Sequence, residues 1–174
     1  MDWFVVDREY IEYLLKYDSK VGYVDYGEKL KLHLGILLKV NSCDYYIPIS
    51  SAKPKHLRMS NSIDFHKIQD EKTGELYSVI NLNNMIPVPE KCVRQLKYNN
   101  VTTFRSFSSE LEKTNYIYLL QKEKSIIDNI ANVLQEKAMK LYDKVKEFPG
   151  SKLAQRCCNF KLLKSKSKDY KKEG

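Results

Sequence analysis

The sequence predicts an α+β protein, an antiparallel sheet of about five or six strands with helices packed on it. Three observations carry this. The first half is broken into apolar runs of strand length separated by polar turns, with one early helix. The second half carries a single long apolar stripe at helical spacing. No internal repeat interrupts either half.

Trp3-Phe4-Val5-Val6 is the first strand, a short run of β formers. The period then changes: Tyr10, Ile11, Leu14 and Leu15 share one face of a helix over Arg8–Tyr17, with Asp7 placed to cap it. Val21–Lys29 is a loop rich in Tyr, Gly and charge. Leu32–Val40 and Tyr45–Ile49, joined through Asn41-Ser42, read as an antiparallel hairpin. Ser50–Ser60, polar and broken by Pro54, is a loop or strand end. Ile63–Ile68, Leu76–Asn81 and Met85–Val88 are further strands, the first two divided by a turn over Glu71–Glu75. Ile117, Leu120, Ile127, Ile130, Leu134, Ala138, Leu141, Val145 and Phe148 then line one long helix, or two broken near Lys124-Ser125. Lys122, Glu123, Asp128, Gln135, Lys140 and Asp143 fall on its polar face, and Pro149-Gly150 stops it.

At 174 residues, 43% hydrophobic and 30% charged, the chain suits one globular domain and excludes a disordered or collagen-like one. The longest apolar stretch, Leu34–Leu38, is far short of the about 20 residues a membrane span needs. Met1-Asp2-Trp3 opens no basic and apolar leader pattern, so a cytoplasmic protein is expected. Cys43, Cys92, Cys157 and Cys158 form no CxxC, and His33, His56 and His66 have no metal-ligand spacing. Free thiols and no metal are expected. The net charge is +8, and residues 150–174 carry six of those charges. Such a balance points to nucleic acid first and an anionic membrane surface second.

Nucleotide-binding fingerprints, HExxH and GxSxG are all absent. One cluster remains. Ser50-Ser51-x-Lys53-x-x-His56 gathers hydroxyls, a cation and an imidazole at the end of an apolar strand. Hydroxyls can hydrogen-bond non-bridging phosphate oxygens, and a lysine can offset charge that builds in a transition state. Tyr26 and Lys31, in and just after the preceding polar loop, add a group that can stack on a base and one that can bind phosphate or transfer a proton. The same residues also fit a plain basic surface loop between strands.

With these residues in place, the chain resembles the ToxN/AbiQ family, the endoribonuclease toxins of type III toxin–antitoxin systems. Phe4–Leu14 resembles the family's opening strand and helix, and Leu34-Gly35-Ile36-Leu37-Leu38 its Ile-Gly-Ile-Leu strand. Ile49–His56 resembles the Ser/Thr-Ser-Pro-Lys-x-x-His loop, with Ala52 where the family often has Pro. Ile80–Pro87 resembles the Ile-Asn-Leu-x-x-Met-Ile-Pro segment, and Cys158-Asn159-Phe160-x-Leu162-Leu163 the C-terminal Cys-Asn-Phe motif.

The resemblance implies a twisted antiparallel sheet with helices, similar to the MazF-like toxins, and a helical C-terminal half. It implies a bacterial, metal-independent ribonuclease that needs no cofactor, slows growth and serves in phage defence through abortive infection. It implies inhibition by a structured antitoxin RNA of tandem repeats, which the toxin processes and holds in a closed protein–RNA ring. The catalytic positions carried over are Ser50, Ser51, Lys53, Lys31 and Tyr26, with Tyr23 close to the last. Attack by the substrate's 2′-OH then leaves a 2′,3′-cyclic phosphate and a 5′-OH, with cellular or phage RNA as substrate. Lys55, His56, Arg58, Lys152, Arg156 and Lys161 are the expected RNA-binding residues, His56 serving as acid–base group or as a structural hydrogen bond. Residues 1–163 are expected to form the toxin domain and 164–174 a basic tail. Two rivals are a non-catalytic RNA-binding module and a peripheral membrane protein anchored by its lysine-rich end.

Overall fold

A computed structural model describes residues 1–22, 32–40 and 42–171. Among these, seven strands and six helices form an α+β fold. The strands are β1 (Asp2–Val6), β2 (His33–Val40), β3 (Cys43–Ser51), β4 (Phe65–Gln69), β5 (Leu76–Asn81), β6 (Ile86–Pro87) and β7 (Val93–Leu96). The helices are α1 (Arg8–Leu15), α2 (Pro54–Leu57), α3 (Glu110–Asn129), α4 (Ala131–Glu147), α5 (Lys152–Arg156) and α6 (Phe160–Asp169).

The sheet order is β4-β5-β3-β2-β1-β7, and every pairing is antiparallel. The long strand β3 organises it. One edge pairs with β2, while the other pairs with β6 at Tyr45 and Tyr46 and with β5 from Ile49 to Ser51. The expected β2–β3 hairpin forms, and Ser42 turns it in a left-handed conformation (φ 65°). A register shift in β2 lies between Leu34 and Leu38. There the Phe4 and Tyr46 rings meet edge to face at 5.3 Å, over Gly35. A Cβ on Gly35 would lie 2.3 Å from Tyr46 and 2.7 Å from Phe4, so only glycine admits the aromatic pair.

Several boundaries differ from the sequence reading. β7 was not anticipated: its Val-Arg-Gln-Leu has too few apolar residues to announce a strand, yet it completes the sheet beside β1. The long stripe is two helices, and the break falls at Ile130 rather than near Lys124-Ser125. Asp7 makes no side-chain cap on α1; its carboxylate faces Arg94 at 3.7 Å. Glu123, assigned by periodicity to the polar face, is only 5% exposed.

The segment after Pro149-Gly150 also folds. Helix α6 runs across Leu163-Lys164, where a tail was expected to begin, because Phe160, Leu163 and Ser167 are buried on one face. Tyr170 then packs on the Tyr10 and Tyr13 rings at 5.0 and 4.9 Å. A set of hydrogen bonds fixes the approach to α6. Asn83 donates through its side chain to the Arg156 carbonyl at 3.0 Å and accepts from the Cys158 N–H at 2.8 Å. Lys20 Nζ donates to the Cys157 carbonyl at 2.8 Å, and the Asp18 carboxylate accepts from the Asn159 N–H at 2.6 Å. The core joins the buried sheet residues to Leu120, Ile127, Leu134, Ala138, Leu141, Phe160 and Leu163 of the helices.

Candidate active site and RNA interface

The candidate site lies where β3 runs out of the sheet. Successive strand residues point to opposite faces, so the two serines part. Ser50 is opposite Val79, and its hydroxyl accepts a 3.4 Å hydrogen bond from Asn81 Nδ2. Ser51 is opposite Ser78, on the face that α3 covers, and is exposed at the sheet's end. The Ala52 N–H adds one further rung to the Tyr77 carbonyl at 3.3 Å before the chain leaves the ladder.

Lys53 follows in extended conformation (φ −127°, ψ 156°), and Pro54 opens the single turn of α2. His56 holds that turn. Its N–H donates to the Lys53 carbonyl at 2.8 Å, and its Nδ1 accepts from the Lys53 N–H at 3.0 Å. The ring is 6% exposed and packs against Phe65 at 5.8 Å. Burial first, then the charges of Lys55 and Lys53, pull its pKa below the ordinary histidine range. The imidazole is therefore neutral near pH 7, with its proton on Nε2. Lys53, Lys55 and Arg58 are all exposed, and the first two act on the neutral histidine. Tyr26 and Lys31 lie outside the described residues.

Lys152 and Lys161 are exposed on α5 and α6. Arg156 is engaged instead: its Nε donates to the Asp64 carboxylate at 2.5 Å, and Ser62 donates to the other oxygen at 2.8 Å. Burial pushes the Asp64 carboxyl up, but these hydrogen bonds outweigh it and hold the group below the usual carboxylate range. The α5 cation thus neutralises a buried carboxylate next to β4.

Sequence reasoning missed Asp64, Asn81 and Glu123. Only Asn81 carried a signal, since it lies in the Ile-Asn-Leu segment. Glu123 is buried beside Ser78, the cross-strand partner of Ser51. Burial pushes its carboxyl up to about 7, a rise that the Ser78 hydroxyl moderates. Among the described residues no disulfide joins Cys43, Cys92, Cys157 or Cys158, and burial pushes the Cys157 thiol up to about 11. Among the described residues, no group of three or more His, Cys, Asp or Glu side chains is placed to hold a metal ion. No helix among them is long and apolar enough to cross a membrane.

The arrangement is an exposed hydroxyl and a lysine at a strand end, bordered by cations, which suits a phosphodiester. Comparison with known proteins points the same way. An endoribonuclease ToxN of Bacillus thuringiensis subsp. kurstaki is 27% identical over 168 residues, covering 95% of this chain and 82% of that protein. An endoribonuclease AbiQ of Lactococcus lactis subsp. lactis is 28% identical over 180 residues, covering 98% and 90%. A solved structure concerned with selective toxin inhibition by a non-coding RNA pseudoknot superposes with a TM-score of 0.81 at 26% identity, covering 99% of this chain and 98% of that one. A family model described as "Toxin ToxN, type III toxin-antitoxin system" matches residues 3–168. The chain belongs to the ToxN family, the endoribonuclease toxins of type III toxin–antitoxin systems.

Proposed function

We propose that this chain cuts single-stranded RNA at the end of β3 by internal attack of the substrate's 2′-OH. The observation that carries the reading is the cluster itself, an exposed Ser51 and an unburied Lys53 held in register by β5 and by His56. The 2′-oxygen attacks the adjacent phosphorus and the bond to the 5′-oxygen breaks. The products are a 2′,3′-cyclic phosphate and a 5′-OH. The proton of the 2′-OH leaves to a base, and the departing 5′-oxygen takes one up.

Lys53 offsets the charge that grows on the non-bridging oxygens, and Ser51 hydrogen-bonds the phosphate or orients the 2′-OH. Ser50, tied to Asn81, and Tyr26 position the nucleotides. Lys31 is the candidate acid–base group. His56 is a poor base here, because Nδ1 already accepts from Lys53 and Nε2 carries the proton. In this reading the reaction is metal-free and takes place in the bacterial cytoplasm. The inhibitor is a structured antitoxin RNA made of repeats, which the toxin processes and holds in a closed ring. Lys55, Arg58, Lys152 and Lys161 face that RNA, and their exposure supports the assignment. The neighbour inhibited by a non-coding RNA pseudoknot supports it as well.

The test is expression without the RNA partner, followed by cleavage assays. Growth should arrest, and Ser51→Ala and Lys53→Ala should each lower cleavage by about 10²–10³-fold in folded protein. Cleavage should persist in excess EDTA and leave cyclic phosphate ends. Wild-type rates in both variants, or 3′-OH products with an absolute Mg²⁺ requirement, would overturn the assignment.

A further inference from the structure

Beside the strand end lies a cluster that the reaction above does not use. Lys122 Nζ sits 4.7 Å from the centre of the Tyr118 ring and 5.6 Å from that of Tyr77, and donates to the Tyr77 hydroxyl at 3.4 Å. Tyr118 is 57% exposed on α3. Hydrogen bonds to Tyr118 and then Tyr77 favour the ammonium and raise the Lys122 pKa, while the Tyr77 phenol also bonds Glu75.

Its position is fixed by the fold. The Tyr77 carbonyl accepts from Ala52, between Ser51 and Lys53, and the next residue, Ser78, is the cross-strand partner of Ser51. On α3, buried Glu123 lies beside Ser78, so Lys122 and, one turn earlier, Tyr118 stand on Ser51's face of the sheet. The register shift that pairs Ile68 with Ser78 but Gln69 with Leu76 takes Tyr77 out of the strand's alternation, and its ring meets Lys122 there. A phenol ring open to solvent, a second ring steadied by polar partners and a cation between them match what a flexible RNA strand presents, alternating base faces and phosphates.

We propose that Tyr118, Tyr77 and Lys122 form a nucleobase-stacking subsite that seats a base flanking the cleaved bond, with Lys122 on the adjoining phosphate. The inference rests on the ribonuclease reading and adds to it a determinant of substrate choice. A base stacked on Tyr118 fixes which phosphate reaches Lys53, because successive phosphates are spaced by the strand.

The experiment uses the full chain and a mixed-sequence single-stranded RNA pool whose cleaved ends are sequenced. Wild type is compared with Tyr118→Ala, Tyr118→Trp and Lys122→Gln. A 2-aminopurine oligonucleotide matching the preferred cut is titrated into the same proteins carrying Lys53→Ala. Tyr118→Ala should raise KM by about 5- to 150-fold with little change in kcat, flatten base preference at the flanking nucleotide and abolish 2-aminopurine quenching. Tyr118→Trp should restore all three, which a merely structural role would not predict. Lys122→Gln should lower the salt slope of binding by about one. Wild-type KM and an unchanged base profile in Tyr118→Ala would overturn the subsite while leaving the nuclease reading intact. A wild-type chain that cuts no RNA overturns both.

Discussion

The main-chain N–H of Lys53 donates to the Nδ1 of His56, three residues on, at 3.0 Å, and the ring making this bond is buried. A histidine beside candidate catalytic residues thus acts here as a bracket. Its folded pKa lies below its unfolded value, so its contribution to stability is present above about pH 6.5 and is lost as pH falls through the folded value. His56→Ala should lower kcat by about 10- to 100-fold through misplacement of Lys53. His56→Asn, which can still accept from that N–H, should recover much of the loss, with an unchanged neutral-to-alkaline pH–rate profile. Equal inactivation by both variants, with loss of one limb of the profile, would make His56 the base.

Arg156→Ala should act on stability before it acts on RNA. The Asp64 side chain it leaves behind is 9% exposed and, among the described residues, keeps the Ser62 side-chain hydrogen bond. Stranding that carboxylate should cost about 1–3 kcal/mol, the Arg side of the pair being half exposed. Asp64→Asn in the same chain should return part of it, as urea denaturation of the single and double variants would show. Lys161→Ala, on an exposed residue, should leave the midpoint within about 0.5 kcal/mol and reduce RNA affinity alone.

Glu123→Gln should stabilise the protein at pH 8 and leave it nearly unchanged at pH 4. The carboxyl is pushed up to about 7 in the fold, against an ordinary 4.5. The native state therefore keeps a proton the unfolded chain has lost, and stability falls as pH rises from about 4.5 to 7, then levels. The amide variant removes that slope, a gain on the order of 1–3 kcal/mol above pH 7. His66 has the opposite slope, since burial and Lys137 pull its pKa down to about 4. Stability from His66 is lost as pH falls from about 6.5 to 4. Thermal unfolding from pH 4 to 8 separates the two.

Gly35→Ala should cost about 1–3 kcal/mol or more, since two aromatic rings on neighbouring strands must give way for one methyl group. Tyr46→Leu in the same background should relieve part of the cost, and calorimetry of the two variants measures the coupling.

The sheet was legible wherever apolar residues crowd a run. Leu76–Asn81 matches β5, and the β2–β3 hairpin falls where its turn residues put it. Val93–Leu96 was not legible, because an edge strand with two exposed polar residues has the pattern of a loop. Periodicity misplaced Glu123 for a different reason: a carboxylate counts as polar in any pattern, and only the fold shows it lying against Ser78. Of the site, the Ser50–His56 cluster was readable as residue types along one segment. That Ser50 and Ser51 face opposite sides of the sheet followed only once the register of β3 on β5 was known. The pairing of Arg156 with Asp64, 92 positions apart, has no local trace at all.

The docking of α6 should also come late in folding. The Tyr13 hydroxyl reaches the Lys166 carbonyl across 153 residues, and Tyr10 and Tyr13 are covered by Tyr170. At ribosomal speeds of about 5–20 residues per second, α1 is made some 8–30 s before the segment that covers it. The aromatic face of α1 stays open for that interval, and closing it is a non-local step with a correspondingly large loop entropy. Because Asp18 and Lys20, just beyond α1, also bind the chain entering α6, activity should arise in one late event as α6 docks, rather than accumulate as the chain emerges.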